Sequence, residues 1–222
     1  MSNYSQMLLA SAMAAPPAVE PRKRPRQGRA VETVAAVLEA AARILEAEGL
    51  EGFNTNAVAA AAGVSVGSLY QYFPGKDAVM AGLIRREAGR FRQRLQDAAR
   101  AARAPPLAEA IATLAAVAVA HQAARPRLAR ILDFEERRLG LGGEAQDADA
   151  GVAAILSGFL ADRGFTAPHA AEDALHLARG LIDGALERGA TDGLEGRVAA
   201  AVLGYLHVTG AAAGSPSPTS RV

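Results

Sequence analysis

Cysteine is absent from the chain, which excludes disulfide scaffolds, thiolate nucleophiles and sulfur-ligated zinc together. Aromatic residues are scarce, at 5% of 222 positions, and alanine supplies much of a hydrophobic content of 50%. The interior is therefore expected to pack small side chains on closely approaching helices, and a β-rich architecture is disfavoured. Neither sign of charge dominates: 24 Lys and Arg stand against 23 Asp and Glu, a net of +1. Overall charge points to no polyanionic partner. Long apolar runs are missing as well, since none reaches the roughly 18–20 residues of a bilayer span. In MSNYSQMLLASAMAAPPAVE the apolar patch precedes the basic cluster, the reverse of a secretory signal. A soluble cytoplasmic protein is the expectation.

The usual carriers of catalysis are also wanting. HExxH, a glycine-rich phosphate loop and a GxSxG elbow do not occur. The four histidines, His121, His169, His176 and His207, are never at metal-ligand spacing with carboxylates apart from the loose pair Glu172 and His176. No catalytic residue, metal or cofactor is expected, and the chain does not read as an enzyme.

What is present is an uneven distribution. In PRKRPRQGR, residues 21–29, the basic residues Arg22, Lys23, Arg24, Arg26 and Arg29 stand without an acidic one, and the prolines and glycine oppose a helix. Residues 1–27 are expected to form a disordered basic arm suited to phosphate attraction or minor-groove entry. Helical periodicity then begins in VETVAAVLEAAARILEAEG, closed by Gly49. Thr55 is expected to cap a short helix over 56–62 that ends at Gly63, and Ser65 to cap another carrying VGSLYQY, stopped by the Pro-Gly after Phe73. Asp77 opens a fourth helix, where its charge complements orphan amides. The spacing predicts a three-helix helix-turn-helix domain over 28–76 and a connecting helix over 77–106. An all-helical domain over 107–210 and a disordered tail over 211–222 complete the expected all-α fold.

Helices of six or seven residues are marginal alone and need a task that wants a short rod held away from the body. In a helix-turn-helix the second helix lies in the major groove. Leu69 and Phe73, four apart, share the face that anchors this rod, leaving Val66, Gly67, Ser68, Tyr70, Gln71 and Tyr72 outside. The Tyr70 and Tyr72 hydroxyls, Lys76 and Thr55 suit phosphate oxygens. Gly67 keeps the rod thin, and Val66, Ser68 and Gln71 suit base edges. Ser65 stands at the cap beside them.

The stretch TNAVAAAAGVSVGSLYQYFPGKDAVM resembles the DNA-binding motif of tetracycline-repressor-type (TetR) transcriptional regulators, over about residues 32–84. The elements that carry the likeness are Thr55, Ala62, Gly63, Val64, Ser65, Leu69, Tyr70, Tyr72, Phe73 and Lys76. The resemblance implies phosphate contacts at Thr55, Tyr70, Tyr72 and Lys76, and base-facing positions at Val66, Gly67, Ser68 and Gln71. It also implies a helical domain that binds a small molecule and dimerises, often through its last two long helices. In this chain those fall within about 171–208, where Leu175, Leu177, Leu181 and Ile182 make one apolar face and Val198, Val202 and Leu206 another. Ala174, Ala178, Ala185, Ala199 and Gly204 would permit close packing across a two-fold. Candidate effector contacts are His121 and His176, on otherwise apolar helices, Phe134, beside Asp133, Glu135 and Glu136, and Phe159.

The leading functional expectation is a ligand-responsive repressor that binds a palindromic double-stranded DNA operator as a homodimer and is released by a small, largely apolar effector. A helix-turn-helix regulator controlled by a protein partner and a helical adaptor that binds no DNA are the alternatives.

Overall fold

The computed structural model describes residues 19–21 and 28–213. Among the described residues the fold is all-α, with nine helices. They are α1 (Gly28–Glu48), α2 (Thr55–Ala62), α3 (Val66–Tyr72), α4 (Lys76–Ala101), α5 (Leu107–Ala123), α6 (Pro126–Arg138), α7 (Gly142–Ala161), α8 (Ala170–Arg188) and α9 (Leu194–Ala213). None is long and apolar enough by itself to cross a membrane. The first helix begins at Gly28, so Gly28 and Arg29, the last two residues of the basic stretch, are helical. Arg22, Lys23, Arg24 and Arg26 lie outside the described residues.

The chain divides into two compact units. The first comprises the described residues up to Ile84 together with Phe134–Leu139, and the second comprises Arg85–Asp133 and the residues from Gly140 onward. The division thus falls inside α4, later than residue 76, and the last turns of α6 group with the first unit. A buried carboxylate accounts for that grouping locally. Glu135 is 3% exposed and accepts from Arg138 Nε at 2.8 Å, while Arg138 Nη2 also donates to Asp77 in the first turn of α4 at 2.6 Å. These two carboxylates raise the arginine's pKa, mainly through their hydrogen bonds.

In the first unit α1 turns one face inward through Val37, Ala41 and Leu45, all fully buried. Gly49, at φ +75°, closes it, its N–H donating a hydrogen bond to the Leu45 carbonyl at 3.1 Å. The start of α2 departs from expectation: the cap is Asn54, whose side chain accepts from the Ala57 amide at 2.9 Å, and Thr55 is the first helical residue. Either type can cap, and once Asn54 reaches the third amide the Thr55 hydroxyl is released for another use. Gly63, at φ +68°, ends α2 with its amide on Ala60 and the next amide, of Val64, on Ala59. Paired bonds of this kind satisfy the last carbonyls and require the left-handed backbone that glycine adopts without strain. Ser65 caps α3 as expected, accepting from the Ser68 amide at 3.0 Å.

The inner side of α3 carries Leu69 and Phe73, 0% and 2% exposed. Phe73 lies so close to α4 that a methyl group on Gly82 would meet its ring at 2.9 Å and Leu38 of α1 at 3.3 Å. In the second unit α9 packs mainly on α5 and α8, and α8 also on α7. Ala174, Leu175, Ile182, Ala185, Val198, Ala199, Val202 and Leu206 all belong to this unit's own core. Three of the five small residues expected on a two-fold, Ala174, Ala185 and Ala199, therefore face inward, because the same 3.6-residue period serves a buried stripe and an intermolecular one equally well.

Candidate nucleic-acid interface and effector cavity

The outer face of α3 gathers side chains that no core explains. Val66 and Tyr70 are each 38% exposed, and Ser65, Gly67, Gln71 and Lys76 are exposed beside them. Ser68 and Tyr72 are half-buried. The released Thr55 hydroxyl lies 3.3 Å from the Tyr70 hydroxyl, so the first residue of α2 and the middle of α3 present two hydroxyls side by side. Ser65 and Ser68 pair their hydroxyls at 2.8 Å at the start of α3. Arg43 of α1 donates to the Ala61 carbonyl at 3.2 Å and so fixes the end of α2. Arg29 is exposed in the first turn of α1.

Gly67 is informative by contrast with Gly82. A methyl group on Gly67 would meet only Ser65 Oγ, at 3.8 Å, an ordinary contact. Glycine inside a helix costs about 0.5–1 kcal/mol relative to alanine, and within this unit nothing offsets that cost. The space above Gly67 belongs to the outside.

The second unit encloses an apolar cavity of about 60 Å³. Phe91 and Leu95 of α4 form one wall, facing Leu114 of α5, Leu156 and Phe159 of α7, Leu175 of α8 and Val202 of α9. No ionisable side chain lines it. A larger cleft of about 330 Å³, bordered by α7 and the start of α8, has His169 and Glu172 at its edge.

Of the four candidate effector contacts, Phe159 lines the apolar cavity. His121 stands behind the wall, its ring stacked on Phe91 with centroids 4.8 Å apart and Nδ1 3.0 Å from Arg94 Nη2. Burial, and after it Arg94, lower the imidazole pKa against a smaller opposing effect of Glu87. A neutral ring accepting from Arg94 follows. Phe134 is 55% exposed in the first unit, and His176 is exposed on α8; neither lines the cavity. An isolated aromatic or histidine gives no sign of which way its helix is turned. Phe91, Leu95 and Leu156 went unrecognised for the same reason, since cavity walls and ordinary core share one apolar pattern. His169 precedes α8 in the left-handed conformation, φ +62°, with Nδ1 on Glu172 at 2.9 Å. Glu172 is thus paired with His169, three residues away. Among the described residues no group of three or more His, Asp or Glu side chains is placed to hold a metal ion.

Comparison with known proteins agrees with this geometry. Residues 37–83 match the model for bacterial regulatory proteins of the tetR family. A 55-residue stretch is 47% identical to the HTH-type transcriptional repressor DrrR1 of Streptomyces coeruleorubidus, covering 24% of this chain but only 20% of that repressor. Over most of the chain the likeness is one of fold. The fatty acid degradation regulator FadR from Bacillus halodurans superposes with a TM-score of 0.61 at 18% identity, over 82% of this chain and 97% of that one. A TetR-family transcriptional regulator from Streptomyces coelicolor gives 0.58 at 23% identity, over 80% and 99%. With the capped short helices, the outward-facing tyrosine surface and the helical second unit in place, residues 37–83 match the tetR family of bacterial regulatory proteins, and most of the chain shares the fold of these solved structures.

Proposed function

We propose that the protein is a cytoplasmic transcriptional repressor that binds a palindromic operator as a homodimer and releases it when a small apolar molecule enters the second unit. The observation that carries DNA binding is the outer face of α3, a seven-residue helix with a buried anchor, exposed hydroxyl and amide groups and a glycine that serves no internal contact. Thr55 and Tyr70, with hydroxyls 3.3 Å apart, are suited to one phosphate, and Lys76 adds a cation beyond the Pro-Gly turn. Gln71, Ser68 and Val66 then meet base edges, glutamine suiting adenine and valine a thymine methyl. A mobility-shift assay with genomic fragments flanking the protein's own gene tests the reading, and failure to retard any fragment would favour a helical adaptor.

Phosphate and base roles are separable. Lys76→Ala is expected to weaken binding evenly across operator variants and to lower the salt slope by about one unit, whereas Gln71→Ala changes the preference among variants. Titrations at several salt concentrations check both, and an exchange of the two behaviours would invert the groove assignment.

Dimerisation is supported by the exposed stripes of α8 and α9. Gly196, Ala200, Gly204 and Val208 recur every four residues and all are exposed, Val208 to 73%. Gly180 continues the pattern on α8, near Leu177, itself 38% exposed. Methyl groups on Gly180, Gly196 or Gly204 would meet nothing within 4 Å, so Gly180 and Gly204, interior to their helices, weaken them with no return inside the chain. A second copy packed closely across a two-fold supplies the return. Gly204→Leu is expected to shift light-scattering mass from twice 22.8 kDa toward 22.8 kDa. A native protein already at the monomer mass would refute the dimer.

The cavity supports an uncharged, apolar effector, because an ion would lose its hydration there without a partner. At about 60 Å³ it is well below the roughly 300–1,000 Å³ of small-molecule sites, so binding must displace wall side chains. That displacement is the proposed source of regulation: an altered α4 changes the spacing of the two recognition helices, which must match successive grooves about 34–36 Å apart.

A further inference from the structure

Phe159, one wall of the apolar cavity, carries the guanidinium of Arg163 on its ring, with the Cζ atom 4.1 Å from the centroid. The same guanidinium reaches the connection between α4 and α5. Its Nη2 donates to the Ala102 carbonyl and lies 3.1 Å from the Arg103 carbonyl and 3.3 Å from that of Pro105. With α4 ending at Ala101, these carbonyls have no helical partner and require one from elsewhere. A cation at a helix C-terminus also suits the helix dipole. A second, more exposed link runs the other way, from Arg103 to Asp162 at 3.4 Å.

We infer that Arg163 is the positioning residue through which occupancy of the apolar cavity reaches the end of α4. The inference rests on the proposal that this cavity takes an apolar effector. A ligand larger than the present space must move wall side chains, and Phe159 cannot tilt or slide without disturbing the planar group stacked on it. Hydrogen bonds weaken steeply with misdirection, so the guanidinium gives up carbonyls of the turn when its platform moves. The last turn of α4 is closed by the Ala102 amide on the Ala98 carbonyl at 2.8 Å and a longer bond from Arg103 to Arg100 at 3.4 Å. These are the bonds that loosen. Phe91, the other aromatic wall, sits on α4 itself and needs no relay.

The test uses the full chain and N-phenyl-1-naphthylamine, an uncharged fluorophore that brightens in apolar surroundings, with hydrogen exchange followed at the amides of residues 98–104. In the native protein the dye should brighten and exchange at Ala102 and Arg103 should accelerate on the order of fivefold. Arg163→Lys keeps a cation near the carbonyls but loses the flat stack; it should bind dye within about twofold of native and show no acceleration. Arg163→Met keeps an apolar contact with Phe159 but loses every donor, so these amides should exchange fast already without dye and gain nothing from it. Brightening of the native protein with unchanged exchange overturns the inference and leaves the cavity reading standing, as does a lysine variant that responds like native. Loss of dye binding in the lysine variant also overturns it, by assigning Arg163 to the shape of the cavity itself. A native protein that never brightens the dye removes the cavity reading and the inference with it.

Discussion

Phe73→Ala is expected to destabilise the first unit by about 3–5 kcal/mol, the usual cost of removing a buried aromatic ring. The ring is 2% exposed, lies against α4 at Gly82 and terminates α3, its amide bonding the Leu69 carbonyl at 2.9 Å. Little can relax into the hole, because Gly82 offers no side chain and Leu38 belongs to a helix held by its own buried face. A loss of that size is a large part of the stability of a small unit, so α3 should lose its fixed position and DNA retention should vanish with it. Urea unfolding followed by circular dichroism, beside a mobility shift at equal protein concentration, measures both. A variant with native stability would show that α3 is not anchored through this ring.

Gly67→Ala should move stability and DNA affinity in opposite directions. The methyl group meets only Ser65 Oγ at 3.8 Å, so the helix gains about 0.5–1 kcal/mol from removing a glycine. On the proposed interface the same methyl stands between α3 and the groove. Holding the helix off by one methyl group should forfeit the equivalent of a base contact, about 1–3 kcal/mol, which is about fivefold to 150-fold in affinity. Thermal unfolding and operator titration on the same preparation decide it. A more stable protein that binds DNA as well as native would mean that Gly67 does not face the groove. Few substitutions separate the two quantities so cleanly, because most changes on a recognition helix alter its fold and its contacts together.

Local chemistry was legible in the sequence wherever neighbouring residues settle it. Gly49 and Gly63 stop helices because the backbone beyond them is left-handed, and the Ser65 hydroxyl finds an amide three residues on whatever surrounds it. Leu69 and Phe73 share the inner face of α3 because four residues make about one turn. The outward set from Val66 to Gln71 follows from the same count, and so did the all-α fold and the resemblance at the first unit. Even locally there was a limit at Asn54 and Thr55, two adjacent capping types between which only the path of the chain chooses.

Tertiary structure alone decided the rest, because it depends on how helices distant in sequence are rotated against one another. The inward turn of Ala174, Ala185 and Ala199, with glycines left outside, is invisible to a periodicity that fits both stripes. The grouping of Glu135 and Arg138 with Asp77 joins residues about 60 positions apart, and Arg163 meets the α4–α5 turn across a similar interval. The cavity is the clearest case. Its walls are ordinary core residues of α4, α5, α7, α8 and α9, and only their failure to fill the space between them makes it a candidate site.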